Sequence, residues 1–328
     1  MIEPSKIIEV KEWFKCDLDK KELKKLLARD DSHAWFYVGG WLLLILIFAT
    51  VAILLYPTVW SIPVFIIYGI LISASNARWH ECSHGTPFKT DWLNEATFYI
   101  ATTMEMRDVV STRWEHALHH SYTIFEGVDQ EILLKRPPNL LYACLDFFYL
   151  KSGPTLMWNT LQHAFGIVSK NAKLCVPETD FKRMFWWSRA TLLPYILAVI
   201  LAVVIGSWLP ILLIVLPRFY GGFLQWIYIL LQHGGLAENV WDHRLNCRTV
   251  YFNKFNAFLY MEMQYHVEHH MYPMVPFHAL RALREQVKDQ LPEINKSIFD
   301  GLKEMVPALL KQRKDPSYFI RKEVRTTK

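Results

Sequence analysis

Thirteen histidines punctuate this 328-residue chain, and eight of them fall into three short clusters. The densest is Gln264-Tyr265-His266-Val267-Glu268-His269-His270. In a helix, histidines at i, i+3 and i+4 leave one face within an arc of roughly 100°, so three imidazoles can converge on one point. The same spacing recurs in His116-Ala117-Leu118-His119-His120, and His80-Glu81-Cys82-Ser83-His84 places two more histidines at i and i+4. A single pair of this kind in a protein core is ordinarily incidental. Three clusters in one chain point to joint metal binding.

One metal takes about four to six ligands, so eight or nine clustered imidazoles imply two ions. A nitrogen-rich pair with few carboxylates and no thiolate suits redox iron, and by ligand type it also suits zinc. Glu81, Glu115 and Glu268 each sit beside a candidate ligand. There a carboxylate either accepts the other ring N–H of a histidine and fixes its tautomer, or is an exposed helix charge. Asp129 reads as an outer partner or a structural residue, and Asn239 as a holder of metal-bound water or a helix cap. His243 becomes a ligand if its loop folds back and is otherwise a surface histidine, the reading preferred here. His33, His163 and His278 are expected to be interfacial or surface residues.

The elements that must position these side chains are apolar. Hydrophobic residues make up 52% of the chain and aromatics 15%, above the soluble norm, so membrane spans are the first expectation. Residues 34–56 form an almost unbroken apolar run without a charge, followed after Pro57-Thr58 by a second run over 59–77. Each approaches the ~20 residues needed for a ~30 Å hydrocarbon layer. A third run, 190–208, is joined by Leu209-Pro210 to a fourth, 211–231, whose single charge, Arg218, either snorkels or faces the site. Between them, Phe98–Met104 and Leu140–Val168 are too short or too charged to span and read as interfacial or core helices. Two hairpins put every histidine cluster on one side. The turns at Pro57 and at Trp208–Pro210 carry no lysine or arginine, so that shared side, with both termini, is predicted to be cytoplasmic.

The expected architecture is therefore an all-α membrane protein: four transmembrane helices in two hairpins with a cytoplasmic helical cap that carries the metal site. An amphipathic N-terminal segment, 1–33, precedes the membrane domain, 34–285, and a basic amphipathic tail, 286–328, follows it. The charged N-terminus shows no secretory signal. Five cysteines without CxxC pairing argue against a disulfide framework or a thiolate zinc site. A net charge of +5, without an arginine-rich motif, gives no case for nucleic-acid binding and suits anionic headgroups or an acidic protein partner.

The order HxxxH, HxxHH and a later HxxHH followed by proline, interleaved with two hydrophobic hairpins, resembles the integral-membrane fatty acid desaturase and hydroxylase superfamily. The resemblance covers about residues 34–285. The string His119-His120-Ser121-Tyr122-Thr123, with Asp129 following, is also similar to the acyl desaturase pattern. It implies a non-haem diiron centre with His80, His84, His116, His119, His120, His266, His269 and His270 as iron ligands, and His233, in Leu231-Gln232-His233-Gly234-Gly235-Leu236, as the further ligand such proteins place before the third box. The same string is similar to one in bacterial alkane hydroxylases, whose second box has a GHH form lacking here. The chain is likewise similar to a bacterial subgroup labelled hydrocarbon oxygenases. The third box begins HVEHH rather than QxxHH, unlike the front-end desaturases.

What the resemblance implies is O₂-dependent oxidation of an unactivated alkyl C–H bond, with fatty acyl desaturation as the family default. Hydroxylation or oxidative demethylation is the alternative. No HPGG segment is present, so electrons are expected from a separate donor of ferredoxin, rubredoxin or cytochrome b5 type with its reductase. A zinc-binding transporter or scaffold is a more distant reading. It would put ionisable groups near the bilayer midplane, whereas these lie outside the spans.

Overall fold

The first apolar run begins one turn earlier than its composition suggests. Asp30 caps it, its carboxylate accepting from Ser32 N at 2.9 Å, and helix continues over Asp31–Leu55. The computed structural model describes residues 11–324; the two ends of the expected N-terminal segment and basic tail, 1–10 and 325–328, lie outside the described residues. Among the described residues the secondary structure is helical, with isolated β-bridges and no strand.

Among the described residues three helices are long and apolar enough to cross a membrane: Asp31–Leu55, Ser61–Ser83 and Glu178–Ile205. They differ in what covers them. In the most apolar window of the second, 67% of residues are buried inside the protein, against 17% in the first and 28% in the third. The outer two leave Leu46, Leu54, Val203 and Val204 exposed, as a lipid-facing surface requires. The second is sheathed by its neighbours and continues past the apolar stretch to carry His80 and Glu81.

The fourth expected span is not one helix. Residues 211–231 break into a π-helical turn, Ile211–Val215, a short helix, Pro217–Gly221, and a third piece, Phe223–His233. Pro217 has no N–H to give the preceding turn, and Gly221-Gly222 supplies no side chain to hold the next. The break has a packing purpose. A Cβ added at Gly221 would lie 2.1 Å from the Gly69 carbonyl carbon and one at Gly69 2.7 Å from Pro217 O, so two glycines let the backbones touch. Arg218 does not snorkel: it turns inward to Glu105 at 2.5 Å and donates to Ser73 O at 3.1 Å.

Two further contacts fix the site's scaffold. Trp41, fully buried, donates from its indole to Leu71 O at 2.6 Å, joining the first two helices. Arg78, also fully buried, donates to the carbonyls of Phe258 and Leu259 at the end of the Lys254–Tyr260 helix and to Tyr37 O at 3.1 Å. A guanidinium satisfied by carbonyls at a helix C-terminus sits at the negative end of that dipole, and here it ties the first histidine cluster to the segment leading into the third.

Candidate metal centre

Each cluster is helical for an identifiable local reason. The second lies on Val109–Ser121, capped by Asp108, whose Oδ1 accepts from Val110 N and Ser111 N at 3.1 and 2.9 Å. Asp108 Oδ2 also accepts from Ser111 Oγ at 2.6 Å and from His163 Nδ1 at 2.9 Å. His163 is thus not interfacial: it is buried, with Ser169 on its other nitrogen, and fastens this cap because a buried carboxylate needs a partner. The third cluster occupies only the short helix His266–Met271. Clamps replace length there: Glu268 accepts from Thr249 Oγ1 at 2.6 Å and from Arg284.

These helices bring the nine histidines together in two groups. His80, His84, His116, His120 and His269 place one ligand atom each within 4.8 Å of one another, and so do His119, His233, His266 and His270. The Nε2 atoms face inward: His84 to His116 at 3.1 Å, His116 to His120 at 3.1 Å, His120 to His269 at 3.3 Å, His266 to His233 at 2.9 Å and His266 to His270 at 3.0 Å. Two nitrogens each ~2.1 Å from one ion stand ~3 Å apart, so these spacings are those of ligands around a shared ion.

The opposite ring nitrogens face partners that set the tautomer. His119 Nδ1 lies 2.8 Å from Asp129 Oδ2, His116 Nδ1 3.2 Å from Glu131 Oε2, His233 Nδ1 2.8 Å from Asn246 O and His270 Nδ1 3.1 Å from Thr123 Oγ1, each an oxygen that can accept the ring N–H, whereas His266 Nδ1 accepts from the Gln232 Nε2 amide at 3.0 Å. Glu81 Oε1 lies between His80 Nδ1 at 3.6 Å and His269 Nδ1 at 3.4 Å. A proton held at Nδ1 leaves the Nε2 lone pair free for a metal. Burial, and then neighbouring imidazoles, push His84, His120, His266, His269 and His270 well below the ordinary histidine value, which favours the neutral form that a metal site requires. His119 is opposite: against burial, the Asp129 carboxylate holds it up at about 9.

The remaining expected site residues lie elsewhere. Glu115 faces Arg107 at 4.0 Å, and Glu268 is occupied by Thr249 and Arg284. Asn239 neither caps a helix nor approaches the histidines; exposed and at φ 59°, it accepts from Glu126 N at 2.9 Å and holds the loop after the second cluster. His243 is not a surface residue. The N-terminal segment covers it, Trp13 stacking on its ring at 3.9 Å, and its own ring lies 5.2 Å from His270. With Cys247 and His270 it makes a third set within ligand reach, but burial raises the Cys247 thiol well above its ordinary value, and only a thiolate ligates. Glu131, Gln232 and the Asn246 carbonyl carried no signal in the sequence, while Thr123 stood in the quoted string without a role.

A chamber of about 290 Å³ opens onto both groups through His80, His119, His233 and His266. Its walls combine Trp79, Leu133 and Ile229 with Glu105, Arg107 and Glu115.

Among the described residues, three helices of membrane-spanning length and apolarity together with a nine-histidine double cluster define a membrane protein of the histidine-box kind. The chain belongs to the fatty acid desaturase family, which it matches over residues 59–301. It is also similar to an acyl-lipid (9-3)-desaturase from Physcomitrium patens, 23% identical over 312 residues, with 82% of this chain and 57% of that relative covered. The chain thus spans little more than half of the curated relative's length.

Proposed function

We propose that the protein holds two iron ions, one on His80, His84, His116, His120 and His269 and one on His119, His233, His266 and His270, and oxidises an unactivated alkyl C–H bond with O₂. The observation that carries this reading is the convergence of nine imidazoles in two groups, four of them with an oxygen acceptor at Nδ1. Bound iron would supply the oxidising power for C–H cleavage that acid–base side chains lack. The chain's own residues do the rest. Asp129, Glu131 and Glu81 orient imidazoles, and the chamber gives a substrate access to both groups.

Acyl desaturation is the first reading, supported by the family. It removes two hydrogens, and with two donor electrons and two protons O₂ leaves as two waters. Hydroxylation or oxidative demethylation takes the same inputs, inserts one oxygen atom and releases one water; the polar chamber wall favours it for a small substrate. Electrons come from a separate carrier of ferredoxin, rubredoxin or cytochrome b5 type with its reductase. The broken segment Ile211–His233 serves as the fourth crossing, and the histidine centre lies on the cytoplasmic side, in keeping with turns that lack lysine and arginine.

Metal analysis of the purified full chain tests the reading first: about two irons per chain are expected, and one zinc or no metal overturns it. Incubation with donor, reductase and ¹⁸O₂, followed by mass spectrometry, separates the reactions. Label in the product means hydroxylation; a loss of two mass units without label means desaturation.

A further inference from the structure

The chamber before the two histidine groups is furnished for a charged guest. Whatever fills it meets His80 of one group and His119, His233 and His266 of the other. Arg107 enters its wall from the loop between the Asp91–Met104 and Val109–Ser121 helices. Its side chain is only 19% exposed, yet it makes no hydrogen bond to any described residue; Nε and Nη1 are buried without partners, and the nearest counter-charge, Glu115, stands at 4.0 Å. The other acids of the wall make their direct contacts with other groups, Glu105 and Glu131 acting on Arg107 only at longer range. Glu105 is paired with Arg218 at 2.5 Å, Asp146 accepts from Ser152 N and Oγ at 2.7 and 2.8 Å, and Glu131 faces His116. A buried guanidinium left without acceptors is costly unless something else supplies them. Its planar fork matches a carboxylate bidentately.

Position adds the second half of the argument. The Arg107 guanidinium lies over the Trp79 ring, 5.2 Å from its centroid, and the same ring stands edge-on to His116 at 5.4 Å. One indole therefore separates the cation from a candidate metal ligand. A group anchored on Arg107 lies one indole away from that ligand, in the chamber that opens onto the histidine centre, a distance that a short alkyl chain spans. Leu133, Leu156 and Ile229 offer apolar cover for a short alkyl portion.

We propose that Arg107 is the anchor for a carboxylate on the substrate, so that the chamber takes a short-chain alkyl acid and the oxidised C–H lies within a few bonds of its charged end. This names the substrate class of the site proposed above and rests on that reading. Glu115 balances Arg107 until the acid arrives.

The test uses the iron-loaded full chain in detergent and isothermal titration with hexanoate, hexylamine and, separately, vesicles of a palmitoyl phospholipid. Hexanoate is expected to bind and hexylamine not. Arg107→Gln should weaken hexanoate at least tenfold, Arg107→Lys should weaken it less, and Glu115→Gln should not weaken it. Each variant's Tm and iron content are measured alongside; if Arg107→Gln does not fold, Arg107→Lys against Glu115→Gln decides. Hexanoate affinity that is indifferent to Arg107 places the acid on the metal ions alone and overturns the proposal, as does binding of the vesicles or hexylamine but not hexanoate. Iron content separates the two failures: two irons with an indifferent Arg107 sinks only this inference, whereas loss of iron in the parent sinks the functional reading beneath it.

Discussion

The two histidine groups share the Val109–Ser121 and His266–Met271 helices, one completed by His80 and His84 and the other by His233, and they are tied down differently. In the group of four every Nδ1 meets a partner at 3.1 Å or less: Asp129, Asn246 O, Gln232 and Thr123. In the group of five, His116 meets Glu131 at 3.2 Å, His80 and His269 share Glu81 beyond hydrogen-bond range, and the buried Nδ1 of His120 has no partner. One set is braced at both ends of each ring and the other mainly at one. Braced rings hold their lone pairs in place without a metal, while loosely held ones gain order from it. The group of four is therefore the better-formed site, and the two ions are expected to differ in affinity.

The strongest challenge to this comparison removes a ligand from each side. His266→Ala and His116→Ala should each abolish activity, and iron per chain should fall from about two to one or fewer, measured by plasma emission spectrometry. Retention of two irons by either variant would separate that residue from its group. Removing an outer partner comes next: Asp129→Ala should weaken metal binding by roughly 10–100-fold, because it also releases Ile124 N and Glu131 N. Glu131→Ala should cost less, since its contact with His116 is longer. A chelator titration that ranks them the other way would reverse the assignment of the braced site.

Thr123→Val should do less, about 1 kcal/mol for one neutral hydrogen bond, read as a few-fold faster loss of metal to chelator. The smallest effect is on the metal-free protein. His84, His120, His266, His269 and His270 have lowered values, so below about pH 6.5 an unfolded chain takes up protons that the folded site refuses. Their contribution is present above that pH and lost below it. His119, raised to about 9, runs oppositely: what it adds is complete below pH 6.5 and lost as pH rises through 9. Lowered rings outnumber the raised one, so the Tm of the metal-free protein should fall from pH 7 to 5; a rise would put protonated imidazoles inside the folded site.

Much of the centre was legible because ligand spacing is a local property. Helical i, i+3, i+4 geometry places His116, His119 and His120 from four residues of context, and the apolar runs announce the helices that carry them. The outer partners were hidden because they come from fold-level proximity: Glu131 reaches back fifteen residues to His116, and Thr123 meets His270 across 147. His243 and His163 read as surface residues because nothing local reports that Trp13 or Asp108 will cover them. The fourth span kept its apolar composition while Pro217 and Gly221 cut its helix. Composition records solvent preference and says nothing of the backbone contact at Gly69.

The wide scatter of these ligands along the chain also sets an order for biogenesis. Neither imidazole set is complete until the segment around His266–His270 has been synthesised, long after the first hydrophobic hairpin has been made. Arg78 then waits for the carbonyls of Phe258 and Leu259, which arrive just ahead of that last cluster. On the proposed reading metal loading is a closing event: a ribosome stalled before residue 266 would leave a nascent protein with four imidazoles of one set and two of the other, and neither set closed.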